Sequence, residues 1–285
     1  IDHPDIVEFI ECKSKEEKKA WALVDAGYDA SMDGEAYGSI FFQNANNSVR
    51  VTDEFMQAVD ADEKFRTRFV QDGGTAQEYR ARDLMREIAQ AAWESGDPGM
   101  QYDTIINKWH TCSNTGRINA SNPCSEYMHL DDSACNLASI NLSRFVIDGY
   151  TKDARIDWPA LREATSLIVR FLDSVVIWNE LLNPLEKQRK AALESRRLGI
   201  GVMGIADMLN QLSTGYDSEK GIEILEEVAR VIANTSYIAS ANLAEEKGPS
   251  SIFDYEKYSK GAFFQEALDA ETRAVIRSKG LRNIA

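Results

Sequence analysis

Ser121-Asn122-Pro123-Cys124-Ser125-Glu126, with Cys135 in the following Ser133-Ala134-Cys135-Asn136-Leu137-Ala138-Ser139, is the stretch around which the rest of the chain is organised. Pro123 fixes its own φ and pushes Asn122 out of the helical region, so the backbone entering Cys124 is expected to be extended. In an extended segment residues i, i+2 and i+4 share a face. That sets an amide (Asn122), a thiol (Cys124) and a carboxylate (Glu126) in one row, whereas helical spacing would turn Cys124 away from the other two. Such a row can grip a polar substrate and attack it.

The chain outside this stretch narrows the function classes. Its 285 residues suit one large domain or two modest ones, and 44% hydrophobic with 27% charged residues is a globular mix. No apolar run is long enough to cross a bilayer, so a membrane partner is not expected. The net charge of -14 supplies no basic stripe for nucleic acid. A single nucleotide is still compatible, because helix N-termini and a few local donors can hold its phosphates. Four cysteines (Cys12, Cys112, Cys124, Cys135) without a secretory signal suggest a reducing compartment, with the cytoplasm as default. The chain opens at Ile1-Asp2-His3 without an initiator Met and closes at Ile284-Ala285 without a polar tail, and reads as an internal piece of a longer protein.

In order, Asp2 or His3 before Pro4 predicts a helix start, with Ile6, Phe9 and Ile10 as an apolar stripe running to about Ala20. Residues 25–38 read as a loop into a short strand, Ser39–Phe42. The amide run from Gln43 to Ser48 normally means a solvated turn, but would also suit a loop that reads base or sugar edges. Thr52 or Asp53 caps a helix, Asp83 to Glu94 forms another that Gly96-Asp97-Pro98-Gly99 stops, and a short helix follows near Asp103 to Trp109. Ala134 to Phe145 alternates as a strand. Trp158 to Glu180, Ile222 to Glu246 and Gly261 to Arg277 read as helices, and Arg197 to Gly204 as a strand or tight passage whose glycines permit close backbone approach. Gly199, Gly201 and Gly204 have G-x-G-x-x-G spacing, but no clear preceding strand and following acidic residue complete a dinucleotide fold.

Bland readings compete for the same residues. His110, Cys112, Cys124, His129 and Cys135 have the right types for structural zinc, yet lack the paired C-x-x-C knuckles that make such a site specific. Cys124 could be a small buried residue, as free cysteines often are. The polar frame of Asn122, Ser125 and Glu126 argues against that.

Asn122-Pro123-Cys124-Ser125-Glu126 followed by Cys135-Asn136-Leu137-Ala138-Ser139 resembles the finger-loop region of ribonucleotide reductases, and the Asn-Pro-Cys form most resembles the adenosylcobalamin-dependent class. Asp2-His3-Pro4-Asp5-Ile6, the segment from Gln43 to Val51, Gly96-Asp97-Pro98-Gly99 and Gly280-Leu281-Arg282-Asn283 are similar to that family in order and spacing. The resemblance covers essentially the whole chain.

It implies an α/β fold, helix-rich, forming the central part of a ten-stranded α/β barrel. There two parallel half-sheets run opposite ways, a finger loop carries the radical cysteine, and the first and last strands lie outside residues 1–285. It also implies roles. Cys124 becomes a thiyl radical generated with adenosylcobalamin and takes hydrogen from C3′ of a ribonucleotide, Glu126 accepts the 3′-hydroxyl proton, and Asn122 holds the sugar hydroxyls. Cys135 is one of two thiols that deliver the reducing pair, since loss of the 2′-hydroxyl as water consumes two electrons. The implied partners are a deoxynucleotide allosteric effector, with its loop between Asp29 and Asn47, a thioredoxin-like or glutaredoxin-like reductant, and a second copy in a homodimer. The second redox cysteine, the later phosphate-binding loop and the C-terminal thiol tail fall outside this sequence. A metal-radical reductase and a zinc-stabilised binding module are the competing readings; Pro123 favours the cobalamin class over the metal-radical class, where an apolar residue such as Leu usually occupies that place.

Overall fold

Pro4 and Asp5 form a turn ahead of helix α1 (Ile6–Asp25) rather than its first turn: the Asp5 N–H donates to His3 Nδ1 at 3.1 Å. In this computed structural model, which describes residues 1–284, α1 buries Ile6 and Ile10, while Phe9 turns largely to solvent. The chain divides into two units, Ile1–Asn107 with Ser121–Met128, and Lys108–Ala120 with the chain from His129 on.

In the first unit the strand expected at Ser39–Phe42 is absent. A short helix α2 (Glu35–Gly38) leads instead into a bend in which Phe42 adopts φ 64°. The Phe41 N–H donates to the Glu16 carboxylate at 2.9 Å, so a side chain takes the bond a ladder would have used. Gln43, Asn44 and Asn46 are exposed, as a solvated turn requires.

Strand β1 (Ser48–Val51) then leads into α3 (Asp53–Ala61), whose Thr52 hydroxyl accepts from the Phe55 N–H at 3.3 Å, so that of the two caps the sequence allows, Thr52 or Asp53, it is Thr52 that serves. Strands β2 (Lys64–Arg68) and β3 (Thr75–Arg80) form an antiparallel pair that sequence reasoning missed. Helix α4 (Ala81–Ser95) ends at Gly96 with φ 80°, a left-handed cap that suits glycine. β4 (Gly99–Tyr102), also missed, pairs in parallel with β1 and places Gln101 opposite Arg50, and α5 (Asp103–Lys108) follows it. Ile10, Val51, Phe55, Phe65 and Leu84 form the core beneath these elements. Phe55 meets the Phe65 ring edge-on at 5.1 Å, and burying a side chain of that size stabilises by ~1.5–3 kcal/mol.

Short strands β5 (Ala120–Ser121) and β6 (Met128–His129) pair with each other across the central turn. In the second unit, β7 spans Asn136–Asn141, shorter than the alternation suggested. The Asn141 side chain accepts from the Ser143 N–H at 3.2 Å and opens the 3-10 turn Leu142–Phe145, a local hydrogen bond that outcompetes the ladder. After the antiparallel pair β8 (Val146–Ile147) and β9 (Arg155–Ile156) comes α6 (Trp158–Leu182), capped by Asp157 and followed by α7 (Glu186–Ser195). β10 (Leu198–Met203) returns parallel to β7, with Gly199 opposite Leu137.

The short helix α8 (Ile205–Gln211) and the long α9 (Glu219–Lys247) follow, then α10 (Tyr255–Tyr258), α11 (Ala262–Glu266) and α12 (Ala270–Lys279). The single last helix expected from Gly261 is two, because Asp269 accepts from the Thr272 N–H at 2.8 Å and starts a new one. Asp173 on α6 is fully buried and gathers Arg196, Arg282 and Asn283 at 2.6, 2.9 and 3.0 Å, tying the end of the chain to α6. Burial acts to raise its carboxyl, but the hydrogen bonds from Arg282 and Arg196 outweigh that and hold it below the usual range. The described residues thus form a helix-rich α/β chain whose strands pair two by two, without a closed sheet among them.

Candidate functional site

Asn122 to Tyr127 is a tight turn, not the extended row its proline suggested. The Ser125 N–H donates to Asn122 O at 3.0 Å and the Asn122 N–H to Tyr127 O at 3.2 Å, while Ser125 sits at φ 65°. Pro123 takes the second position of this turn, for which its fixed φ is preset, and the same rigidity that excludes helix at Asn122 serves the reversal. Cys124 therefore lies exposed near the tip.

The turn still brings Asn122 and Glu126 together. Asn122 Oδ1 accepts from the Tyr127 N–H at 3.0 Å, which leaves its NH2 to donate to the Glu126 carboxylate. That bond, followed by one from the backbone N–H of Glu126 itself, holds the carboxyl below its usual range. Glu126 is therefore ionised at neutral pH and ready to accept a proton. One turn gathers amide, thiol and carboxylate, by folding back rather than by strand alternation.

Support for the turn comes from β4. Gln101, 5% exposed, donates from Nε2 to Ser121 Oγ at 2.7 Å and to Ser125 Oγ at 3.3 Å. Sequence reasoning passed over Gln101, because β4 had not been recognised as a strand. Ser125 was legible as part of the polar frame around Cys124 but not as the left-handed residue of the turn, since a left-handed serine looks like any other in sequence.

Cys135 belongs to the second unit, half-buried just ahead of β7. A Cβ added to Gly199 on the neighbouring β10 would stand 2.9 Å from Cys135 Sγ and 2.3 Å from Leu137 Cδ2. Gly199 thus keeps open the seat in which the thiol rests, the close approach its glycine run predicted. Gly201 lies in the same strand and only Gly204, at φ 71°, turns the chain, so these glycines serve strand packing and a turn rather than a phosphate loop.

The remaining candidates have other places. Cys112 is buried, burial pushes its thiol up, and its Sγ donates to Asn114 Oδ1 at 3.3 Å. His110 accepts the Cys112 N–H at Nδ1, and His129 Nδ1 lies 2.7 Å from Leu130 O. Among the described residues no three His, Cys, Asp or Glu side chains are gathered as a metal ligand set, so the zinc reading finds no cluster there. A cavity of about 710 Å³ in the second unit is lined mostly by apolar side chains such as Leu198, Ile200 and Val228, with Tyr237 its sole titratable wall, and offers little for catalysis. Among the described residues no helix is long and apolar enough to cross a membrane.

Known proteins bear out the resemblance along the whole length. The chain is 42% identical over 262 residues to the vitamin B12-dependent ribonucleotide reductase of Streptomyces clavuligerus, covering 92% of this chain and 26% of that protein. It is 45% identical over 248 residues to the protein of the same name from Rhodopirellula baltica, covering 86% and 23%. To the vitamin B12-dependent ribonucleoside-diphosphate reductase of Thermoplasma acidophilum it is 36% identical over 247 residues, covering 87% and 28%. The chain spans about a quarter of the length of these curated relatives. The family model described as ribonucleotide reductase, barrel domain, matches residues 1–285, and the chain belongs to that family.

Proposed function

We propose that this chain is the central part of the catalytic domain of an adenosylcobalamin-dependent ribonucleotide reductase, which reduces ribonucleotides to 2′-deoxyribonucleotides by thiyl-radical chemistry. The observation that carries the proposal is the exposed Cys124 thiol on a turn whose Asn122 amide holds Glu126 as a carboxylate. The names of the relatives support the choice of cofactor. The residues present fit it, because an exposed thiol is open to an incoming radical and needs no protein-bound metal beside it. Adenosylcobalamin, when bound, supplies the one-electron chemistry that removes the Cys124 hydrogen atom; no residue of this chain is assigned to hold it.

The chain's own residues then divide the work. Cys124, as thiyl, takes the hydrogen from C3′, and Glu126 removes the proton of the 3′-hydroxyl. Asn122 orients the sugar, a positioning role in which small displacements cost ~100-fold in rate. The 2′-hydroxyl leaves as water. Cys135 and a second thiol from outside this chain give up two electrons and two protons and become a disulfide, after which Cys124 returns its hydrogen atom to C3′ and is left as the thiyl again. The balance is one ribonucleotide and two thiols to one deoxyribonucleotide, one water and one disulfide.

In the proposed barrel the β1–β4 and β7–β10 pairs each belong to one parallel half-sheet, and the Cys124 turn is the finger loop. A deoxynucleotide effector acts through the largely exposed segment between Asp29 and Asn47, and a thioredoxin-like or glutaredoxin-like protein regenerates the dithiol. A homodimer is supported by Leu167, Phe171, Trp178 and Leu182, which leave one face of α6 exposed and apolar. The cytoplasm is the proposed location.

The test mixes the complete enzyme with adenosylcobalamin, a ribonucleotide and a dithiol, freezes early and records the electron paramagnetic resonance spectrum. A thiyl radical coupled to cob(II)alamin, absent in Cys124→Ser, is expected. Reduction that proceeds without cobalamin but needs an added metal-radical subunit would overturn the cofactor assignment.

A further inference from the structure

The Cys124 turn does not support itself. Its only left-handed residue, Ser125, carries a Cβ in a conformation that glycine adopts more readily, so something outside the turn must hold it. Gln101 is placed to do this. Its amide could in principle face either way, and the orientation is decided from behind. Arg50 Nη1 donates to Gln101 Oε1 at 2.9 Å, and a guanidinium cannot accept, so Gln101 Nε2 must face the loop. Arg50 is fixed in turn by Asp103, which accepts from its Nε and Nη2 at 3.1 and 2.9 Å. The strand register agrees, because Arg50 on β1 lies directly opposite Gln101 on β4.

On the loop side Gln101 reaches both ends of the turn. Ser121 Oγ, which receives its bond at 2.7 Å, donates onward to Asn122 O at 2.7 Å, and the Ser121 and Ser125 hydroxyls lie 3.2 Å apart. Asn122 O is also the acceptor that closes the turn from the Ser125 N–H. One buried amide thus clamps the residue before Asn122 and the residue after Cys124.

We propose that Gln101, oriented by Arg50 and Asp103, is a positioning residue that locks the turn presenting Cys124 and Asn122. The catalytic part of this inference rests on the reductase reading; the mechanical part does not. Gln101 touches none of the reacting atoms and acts through the turn alone. Its share of catalysis is to keep the thiol in one place between turnovers.

The test uses Gln101→Met, similar in length but unable to donate, and Ser121→Ala/Ser125→Ala, which removes the acceptors from the other side, both in the complete enzyme. Hydrogen exchange of the turn amides is followed first, without cofactor or substrate. Both variants should exchange the Asn122 and Ser125 N–H groups roughly 5-fold faster, the shift expected from one lost hydrogen bond. In turnover, Gln101→Met should lower kcat about 10- to 100-fold with KM little changed. In the double-serine background the same substitution should add almost nothing, since Gln101 then has no hydroxyl to hold. Unchanged exchange in either variant overturns the proposal, as does an equal loss of kcat in both backgrounds, which would indicate packing rather than positioning. If Gln101→Met lowers thermal stability sharply, the serine pair alone decides the clamp. If the wild-type enzyme reduces no nucleotide, the reductase reading fails while the exchange result still decides whether Gln101 holds the turn.

Discussion

The two sulfurs of the proposed reaction are held by opposite means. Cys124 stands exposed on a turn fixed by a polar chain running from Asp103 through Arg50 and Gln101 to Ser121 and Ser125. Cys135 rests half-buried beside a parallel strand, in a seat that exists because Gly199 has no side chain. The difference matches what the proposed reaction asks of each. A sulfur that starts and ends every cycle unchanged needs one fixed position, which directional hydrogen bonds supply. A sulfur that alternates between thiol and disulfide needs room to swing, which an absent Cβ supplies. Position is built from contacts in the first case and from space in the second.

The strongest way to break this pairing of roles is to remove each sulfur in the complete enzyme. Cys124→Ser should abolish nucleotide reduction and leave the fold intact, because an oxygen radical is too unstable to replace sulfur, while the exposed side chain packs against little. Cys135→Ser should stop repeated turnover with a dithiol reductant yet leave cofactor homolysis visible by electron paramagnetic resonance. If both variants lose homolysis equally, the two sulfurs do not have the separate roles their settings suggest.

How much of this was legible in sequence follows the same division. The residues of the turn, the helix caps at Thr52 and the long amphipathic helices were readable, because capping and apolar periodicity are local signals. The path of the turn was not. Pro123 restricts Asn122 in both an extended strand and a reversal, and only the pairing of β5 with β6 decides between them. β1 and β4 were missed for a related reason. They are four residues each and pair across the whole of α3, β2, β3 and α4, so their alignment is non-local. Gln101 became meaningful only through that alignment. Gly199, by contrast, was flagged by its glycine run alone, since a missing side chain is visible in sequence wherever the partner strand lies.

Filling the space beneath Cys135 is a smaller perturbation that sharpens the comparison. In Gly199→Ala the new Cβ crowds the ends of two side chains, Leu137 Cδ2 at 2.3 Å and Cys135 Sγ at 2.9 Å, while the Asn136 carbonyl oxygen lies at an ordinary 3.6 Å. Leu137 is 63% exposed and can rotate away, so the strand should survive and the sulfur should be displaced. Steady-state reduction should fall about 10-fold, the scale of a misplaced reacting group, with the cob(II)alamin signal unchanged. Leu137→Ala added to Gly199→Ala separates the two contacts. Full recovery would mean that Leu137 crowding, not the sulfur, caused the loss, and the idea of a seat would fall.

The contrast extends to buried charge, and the last expected effect is one of stability alone. In the first unit Arg50 has Asp103 and Gln101 as partners, whereas in the second Arg197 is 4% exposed and its Nε and Nη2 have no hydrogen-bond partner among the described residues. Nearby His110 is 6% exposed, and burial first, then the Arg197 guanidinium, lower it from 6.5 to about 4. The folded chain therefore keeps His110 neutral at a pH where the unfolded chain has already taken up a proton. Its contribution is fully present above the unfolded value of 6.5 and is lost progressively as pH falls towards about 4. At ~1.4 kcal/mol per pH unit the loss amounts to a few kcal/mol. Carboxylates held low begin to lose their contribution only near their unfolded values, 3.8 for Asp173 and 4.5 for the glutamates, so the upper part of the window reports chiefly on the histidine. Denaturant unfolding of the complete enzyme, followed at pH 7 and pH 4.5 by hydrogen exchange in peptides from each unit, should show the second unit weakening more. His110→Gln should flatten that dependence even if it lowers stability at pH 7. An equally steep dependence in His110→Gln would show that some other group carries the acid sensitivity, and that the second unit keeps its buried charge no less securely than the first.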